Sequence, residues 1–204
     1  MKETHSLNPD DFLVPGKSFE NEIKVKGSRF IATIIPVSSK EDAETKYSEI
    51  CKKYFDATHN CFAWRVDDQL WRYSDDGEPS GTAGKPILSA IDGKQLKQVL
   101  CIVTRYFGGT KLGTGGLIRA YGDAAAQALE QVPLKIKTYL EKVTVEYDYS
   151  LENIIRRVLQ EFEGKILESY YNESVKMILA LPVSKKEAFK NYLNELTNTG
   201  CTFI

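Results

Sequence analysis

The chain has 204 residues, of which 42% are hydrophobic and 27% charged, with a formal net charge of -1. That composition is ordinary for a globular protein of one large or two small domains. A near-neutral charge leaves no global pull toward nucleic acid or an anionic membrane, so any polyanion-binding surface has to be local.

In chain order, residues 18–25 and 29–37 read as strands joined by a glycine turn, Lys26-Gly27-Ser28. Ser38 and Ser39 then precede Glu41, Asp42 and Glu44, a helix start with acids in its first turn. Ala43, Tyr47, Ile50, Cys51 and Tyr54 supply that helix's apolar stripe. Residues 61–66 and 70–73 read as a hairpin around Asp67-Asp68-Gln69, followed by a polar loop from Ser74 to Gly81. Residues 82–91 read as a short helix, with Pro86 tolerated near its start. An apolar strand over 99–104 leads into a glycine-rich segment, and an Ala-rich helical run over 120–130 follows. Pro133 marks a boundary, which divides the chain into domains 1–133 and 134–204. Beyond it, strands over 140–147, 166–171 and 175–182 and helices over 151–162 and 185–196 precede a short last strand. That order, βαββαβ, is the ferredoxin-like split βαβ. The fold class expected is α+β.

The glycine-rich segment carries the most chemistry. Gly108, Gly109, Gly113, Gly115 and Gly116 fall within nine positions, and no Asp or Glu occurs from Gly93 to Gly122. Glycine lets backbone N–H groups approach a ligand closely. A helix N-terminus adds unpaired N–H groups and a partial positive charge. Between a strand and a helix this pattern predicts an anion-binding loop, with Thr114 inside it. Arg105, Lys111 and Arg119 supply donors suited to phosphate oxygens. The competing reading is close packing of strand on helix. A Lys-Ser or Lys-Thr ending is missing, so no nucleotide P-loop is expected. Tyr106 and Phe107 adjoin the loop, either as core or as platforms for bases of single-stranded RNA.

Asp75, Asp76 and Glu78 lie in the polar loop. Carboxylates so placed hold Mg²⁺ with a phosphate, pair with Arg65, Arg72 or Lys85, or cap a solvated turn stiffened by Gly77 and Pro79. Ion pairing or partner contact is the reading adopted, with no metal. His59 would share a strand face with Cys61, two positions on. Hydrogen-bonded packing or partner contact is expected of His59, and no catalytic residue and no cofactor are assigned. Cys51, Cys61, Cys101 and Cys201 form no CxxC pair, which fits a reducing compartment better than a disulfide scaffold. The first residues lack an apolar signal core, and no apolar run approaches the ~20 residues of a membrane helix. A cytoplasmic location is expected.

Three blocks resemble the IMPACT family in its bacterial, YigZ-like branch: Thr58 to Arg65, Ser74 to Leu88, and Thr104 to Tyr121. The resemblance implies a first domain similar to the second domain of ribosomal protein S5 and a second similar to the C-terminal domain of elongation factor G. It also implies a role in translation. The expected function is a translation-associated, non-enzymatic protein that contacts RNA or the ribosome. One alternative is an enzyme, a hydrolase or phosphoryl-transfer catalyst, acting on a small phosphorylated or peptide substrate. His59, Asp75, Asp76 and Glu78 would then be its acid–base or metal candidates. The other is an interaction module for a translation or stress factor.

Overall fold

Residues 8–204 are described by the structure, a computed structural model. The chain divides into residues 12–136 and a second unit made of residues 137–204 with residues 8–11. From the N-terminus the elements are β1 (Asp11–Pro15), β2 (Phe19–Val25), β3 (Ser28–Pro36), α1 (Lys40–Lys53), β4 (His59–Arg65), β5 (Trp71–Ser74), α2 (Gly84–Gly93), β6 (Val99–Tyr106), α3 (Thr114–Gln131) and β7 (Leu134–Thr138).

The continuous apolar run of β6 follows from its place in the sheet. Five antiparallel strands lie in the order β2-β3-β6-β4-β5, so β6 is central. Both faces of the sheet are covered, which buries side chains of either parity. Phe30, Ala32, Cys61, Ala63, Cys101 and Val103 pack under α2 and α3, against Ile87, Ile91, Leu117 and Tyr121. Ile35, Phe62, Trp64, Leu100 and Ile102 face the other way, against Ala43, Tyr47 and Ile50 of α1. Ser39 caps α1 by accepting from the Asp42 N–H, as the serine–acid pattern predicts.

Two features depart from the sequence reading. β1 and β7, which pair with each other, were not expected. The helix expected over 120–130 begins at Thr114, so Gly115 and Gly116 form its first turn and belong to no free loop. Gly113, at φ 72°, makes the entry, and its carbonyl accepts the first intrahelical bond, from the Leu117 N–H.

The second unit contains β8 (Leu140–Tyr147), α4 (Glu152–Glu161), β9 (Lys165–Tyr171), β10 (Val175–Pro182), α5 (Lys186–Thr197) and β11 (Cys201–Phe203). Its antiparallel sheet has the order β11-β8-β10-β9, the arrangement of the split βαβ. Ile155, Val158 and Leu159 of α4 and Phe189 and Leu193 of α5 cover Val143, Val145, Met177 and Leu179. The chain is thus an α+β protein of two domains. Among the described residues no helix is long and apolar enough to cross a membrane.

Candidate functional site

Strand alternation decides where Arg105 goes. It shares a face with Cys101 and Val103, so its side chain enters the layer beneath α2 and α3. The residue is only 6% exposed. Its Nη1 donates to Glu78 Oε1 at 2.5 Å, and the Tyr121 hydroxyl donates to the same oxygen at 2.7 Å. The guanidinium lies 5.5 Å from the Phe30 ring centroid and 5.4 Å from that of Phe107. Arg105 Nε has no hydrogen-bond partner among the described residues. Burial, with the Cys61 and Glu78 neighbours, pushes the Tyr121 phenol far above its ordinary range, so it remains a donor. The expected surface arginine is therefore half of a buried ion pair, and the acidic loop supplies the other half.

The rest of that loop is occupied by the protein itself. Asp75 accepts from the N–H groups of Gly81 at 2.8 Å, Ala83 at 2.9 Å and Gly84 at 2.8 Å. It thereby serves the start of α2, where the N-cap residue Ala83 has no side-chain acceptor. Burial alone would raise the Asp75 carboxyl, but the amides of Gly81, Gly84 and Ala83 outweigh it and hold it below its ordinary value. Asp76 accepts from the Asn60 N–H through Oδ2 at 2.5 Å. The Asp76 carbonyl lies 2.7 Å from His59 Nδ1. A carbonyl only accepts, so Nδ1 carries the hydrogen and Nε2 is the acceptor of the neutral ring. Nε2 stands 3.9 Å from Glu78 Oε1. The Cys61 thiol donates to the Asp75 carbonyl at 3.0 Å, and burial pushes its pKa up to about 12. It is not a thiolate nucleophile at neutral pH.

The glycine segment divides in two. Gly108 is a packing residue: a Cβ there would sit 1.9 Å from the Gly27 carbonyl carbon. Its N–H donates to Ser28 Oγ at 3.2 Å, and the Phe107 N–H donates to Thr58 Oγ1 at 3.0 Å. At the start of α3 the situation reverses. No side chain caps the helix, and the amides of Thr114, Gly115 and Gly116 have no hydrogen-bond partner among the described residues. A Cβ on Gly115 would meet nothing within 4 Å.

These pieces converge on a cleft of about 410 Å³ lined by Thr58, His59, Glu78, Pro79, Arg105, Phe107, Lys111, Leu112, Gly113, Thr114 and Leu117. Of the residues proposed from sequence, His59, Glu78, Arg105, Lys111, Gly113 and Thr114 line it, and Gly115 and Gly116 complete the helix turn beside it. Lys94 pairs with Glu130 and Lys97 with Asp68. Lys111 is exposed and has no ion-pair partner among the described residues.

The other proposed residues lie elsewhere. Arg65 binds Asp92 through Nε at 2.9 Å, at the far end of β4. Tyr106 points to the opposite face, where its hydroxyl donates to Asp56 at 2.7 Å beneath Arg29. Arg119 is exposed on α3, outside the cleft lining. Asp75, Asp76, Gly108 and Gly109 are not among the residues that line the cleft. Sequence reasoning missed Thr58, Leu112, Leu117 and Tyr121. Tyr121 had a signal, since it falls four positions after Leu117 on the buried stripe of α3.

A family model described as the Impact N-terminal domain matches residues 26–129, and one described as a domain of unknown function (DUF1949) matches residues 145–198. The IMPACT family member YvyE of Bacillus subtilis (strain 168) is 37% identical over 181 residues, 88% of this chain and 83% of that protein. The IMPACT family member YigZ of Escherichia coli (strain K12) is 35% identical over 192 residues, 92% of this chain and 94% of that protein. A solved crystal structure of a hypothetical protein, 34% identical, superposes with a TM-score of 0.70 over 96% of this chain and 97% of its own. With a cleft lined by residues of all three sequence blocks, and with matches over both domains, the chain belongs to the IMPACT family.

Proposed function

We propose that this protein binds RNA or a ribonucleoprotein in translation, holding phosphate groups at the first turn of α3. The translation setting comes from the family resemblance. The observation that carries the binding is the set of amides at Thr114, Gly115 and Gly116, unpartnered among the described residues, at the edge of a cleft that Lys111 lines and whose one carboxylate, Glu78, is already neutralised by Arg105. A helix N-terminus of this kind favours an anion both by dipole and by free donors. Arg119, one turn along α3 and exposed, adds a second cation for a neighbouring phosphate.

The test is a salt titration of single-stranded RNA binding. The wild type should lose affinity as salt rises, through counterion release. Lys111→Ala/Arg119→Ala should bind more weakly, with a log–log salt slope shallower by roughly one to two. Identical affinities and slopes would contradict the reading.

One observation favours a second reading, catalysis on a small phosphorylated substrate. His59, whose Nε2 is an acceptor, lines the same cleft as Thr114 at the start of α3. Turnover of phosphate esters by the wild type that disappears in His59→Gln would support it. No turnover across phosphomonoesters and phosphodiesters would end it.

A further inference from the structure

We infer that the cleft receives the phosphorylated end of an RNA strand, with the terminal phosphate at the first turn of α3 and the adjoining nucleoside against Phe107. This rests on the RNA reading above and narrows it from backbone contact to end recognition.

Size is the first reason. A cleft of about 410 Å³ falls within the ~300–1,000 Å³ of small-ligand pockets. It admits a discrete group, while a continuous strand needs an extended groove. Donor count is the second. Three neighbouring amides, those of Thr114, Gly115 and Gly116, stand free beside the Lys111 ammonium. A backbone diester offers one charge and two free oxygens. A terminal monoester offers three free oxygens and a charge of about −1.5 to −2 at neutral pH. The monoester matches that donor set.

Arg105 gives independent support. Its side chain is 7% exposed, lines the cleft, and keeps an Nε without a hydrogen-bond partner among the described residues. A buried guanidinium with an unused donor is costly in a site meant to stay empty. The walls are apolar at Pro79, Phe107, Leu112 and Leu117, and Phe107 is 47% exposed as a residue. An exposed aromatic beside a cationic end suits a base attached to a phosphate. His59 Nε2, held as an acceptor by the Nδ1 bond to Asp76, is placed to take the hydrogen of a sugar hydroxyl. That is the group by which RNA differs from DNA.

The experiment uses the full chain and one short sequence in five forms: 5′-phosphorylated RNA, 3′-phosphorylated RNA, hydroxyl-ended RNA, circularised RNA, and end-phosphorylated DNA. Calorimetric titration should give at least one end-phosphorylated RNA a tenfold or greater advantage over both the hydroxyl-ended and circular forms. Gly115→Asp should abolish that advantage, because it seats a carboxylate where the phosphate goes. An acid in a helix first turn is structurally favourable, and the space around Gly115 is open. Lys111→Ala, on an exposed side chain, should reduce the advantage several-fold and serves as the second variant. His59→Gln should narrow the gap between RNA and DNA. Equal binding of all RNA forms would overturn end recognition and leave the RNA reading standing. Absence of RNA binding by the wild type would overturn both. An end preference that survives both Gly115→Asp and Lys111→Ala would overturn the assigned site, and an RNA–DNA gap unchanged in His59→Gln would overturn the hydroxyl contact.

Discussion

The acidic loop between β5 and α2 and the glycine segment between β6 and α3 are equally conspicuous in sequence, yet the fold treats them in opposite ways. The acidic loop spends its polar groups internally. Asp75 serves three amides, Asp76 ties down β4, and Glu78 neutralises Arg105 and receives Tyr121. The second half of the glycine segment leaves its amides open. Polar groups with internal partners hold a wall in place, and polar groups without partners are what a ligand meets. Charge density in a sequence does not distinguish the two cases; hydrogen-bond partners do.

The sharpest way to break the contrast is to remove Arg105. Arg105→Met strands Glu78 as an uncompensated buried charge, and loss of one partner of a buried pair costs roughly 3–5 kcal/mol. Trp64 and Trp71 are the two tryptophans of the chain and both lie in the first unit. Urea unfolding followed by their fluorescence therefore reads that unit. Arg105→Met/Glu78→Gln should recover part of the loss. An unchanged midpoint in the single variant would mean that the pair is not structural.

Next in size is Gly108→Ala. Its Cβ would meet the Gly27 backbone at 1.9 Å, and overpacking of this kind costs about 1–3 kcal/mol or more. Asp75→Asn tests the acidic loop itself. Losing charge-assisted bonds to the α2 amides should cost about 1–3 kcal/mol at pH 7 in the same assay. Asp75 is held below its ordinary 3.8 in the fold, so its contribution is full above that value and fades as pH falls through the lower folded value. The stability gap between wild type and Asp75→Asn should accordingly shrink below about pH 3.8 and stay constant above pH 6. A gap that widens in acid would contradict the assignment. Smallest is Gly115→Ala, which meets open space and gains helix propensity, so it should stabilise by up to about 1 kcal/mol. If Gly115→Ala destabilises as much as Gly108→Ala, the division of the glycine segment is wrong.

Much of this architecture was legible beforehand. Strand alternation, the Ser39 cap and the βαββαβ order are local signals, and they specify most elements. β1 and β7 were missed because they are short and pair across more than a hundred residues, although the alternation of Leu134 and Ile136 with Lys135 and Lys137 was a signal for β7. The early start of α3 was hidden because glycines are poor helix formers, and the fold overrides that preference at Thr114. In the site, the glycine run at the start of α3 was legible, but the burial of Arg105 against Glu78 was not read from charge alone. Its parity with Cys101 and Val103 on β6 was available in the sequence and pointed inward. Its pairing with Glu78, 27 positions away, required the tertiary fold.

Amide NMR of the ¹⁵N-labelled full chain, titrated with a short end-phosphorylated RNA, tests the central claim most directly. Saturable shifts concentrated at Thr114, Gly115 and Gly116 and weakening with salt are the predicted result. Binding that leaves those amides unmoved while resonances elsewhere shift would contradict it.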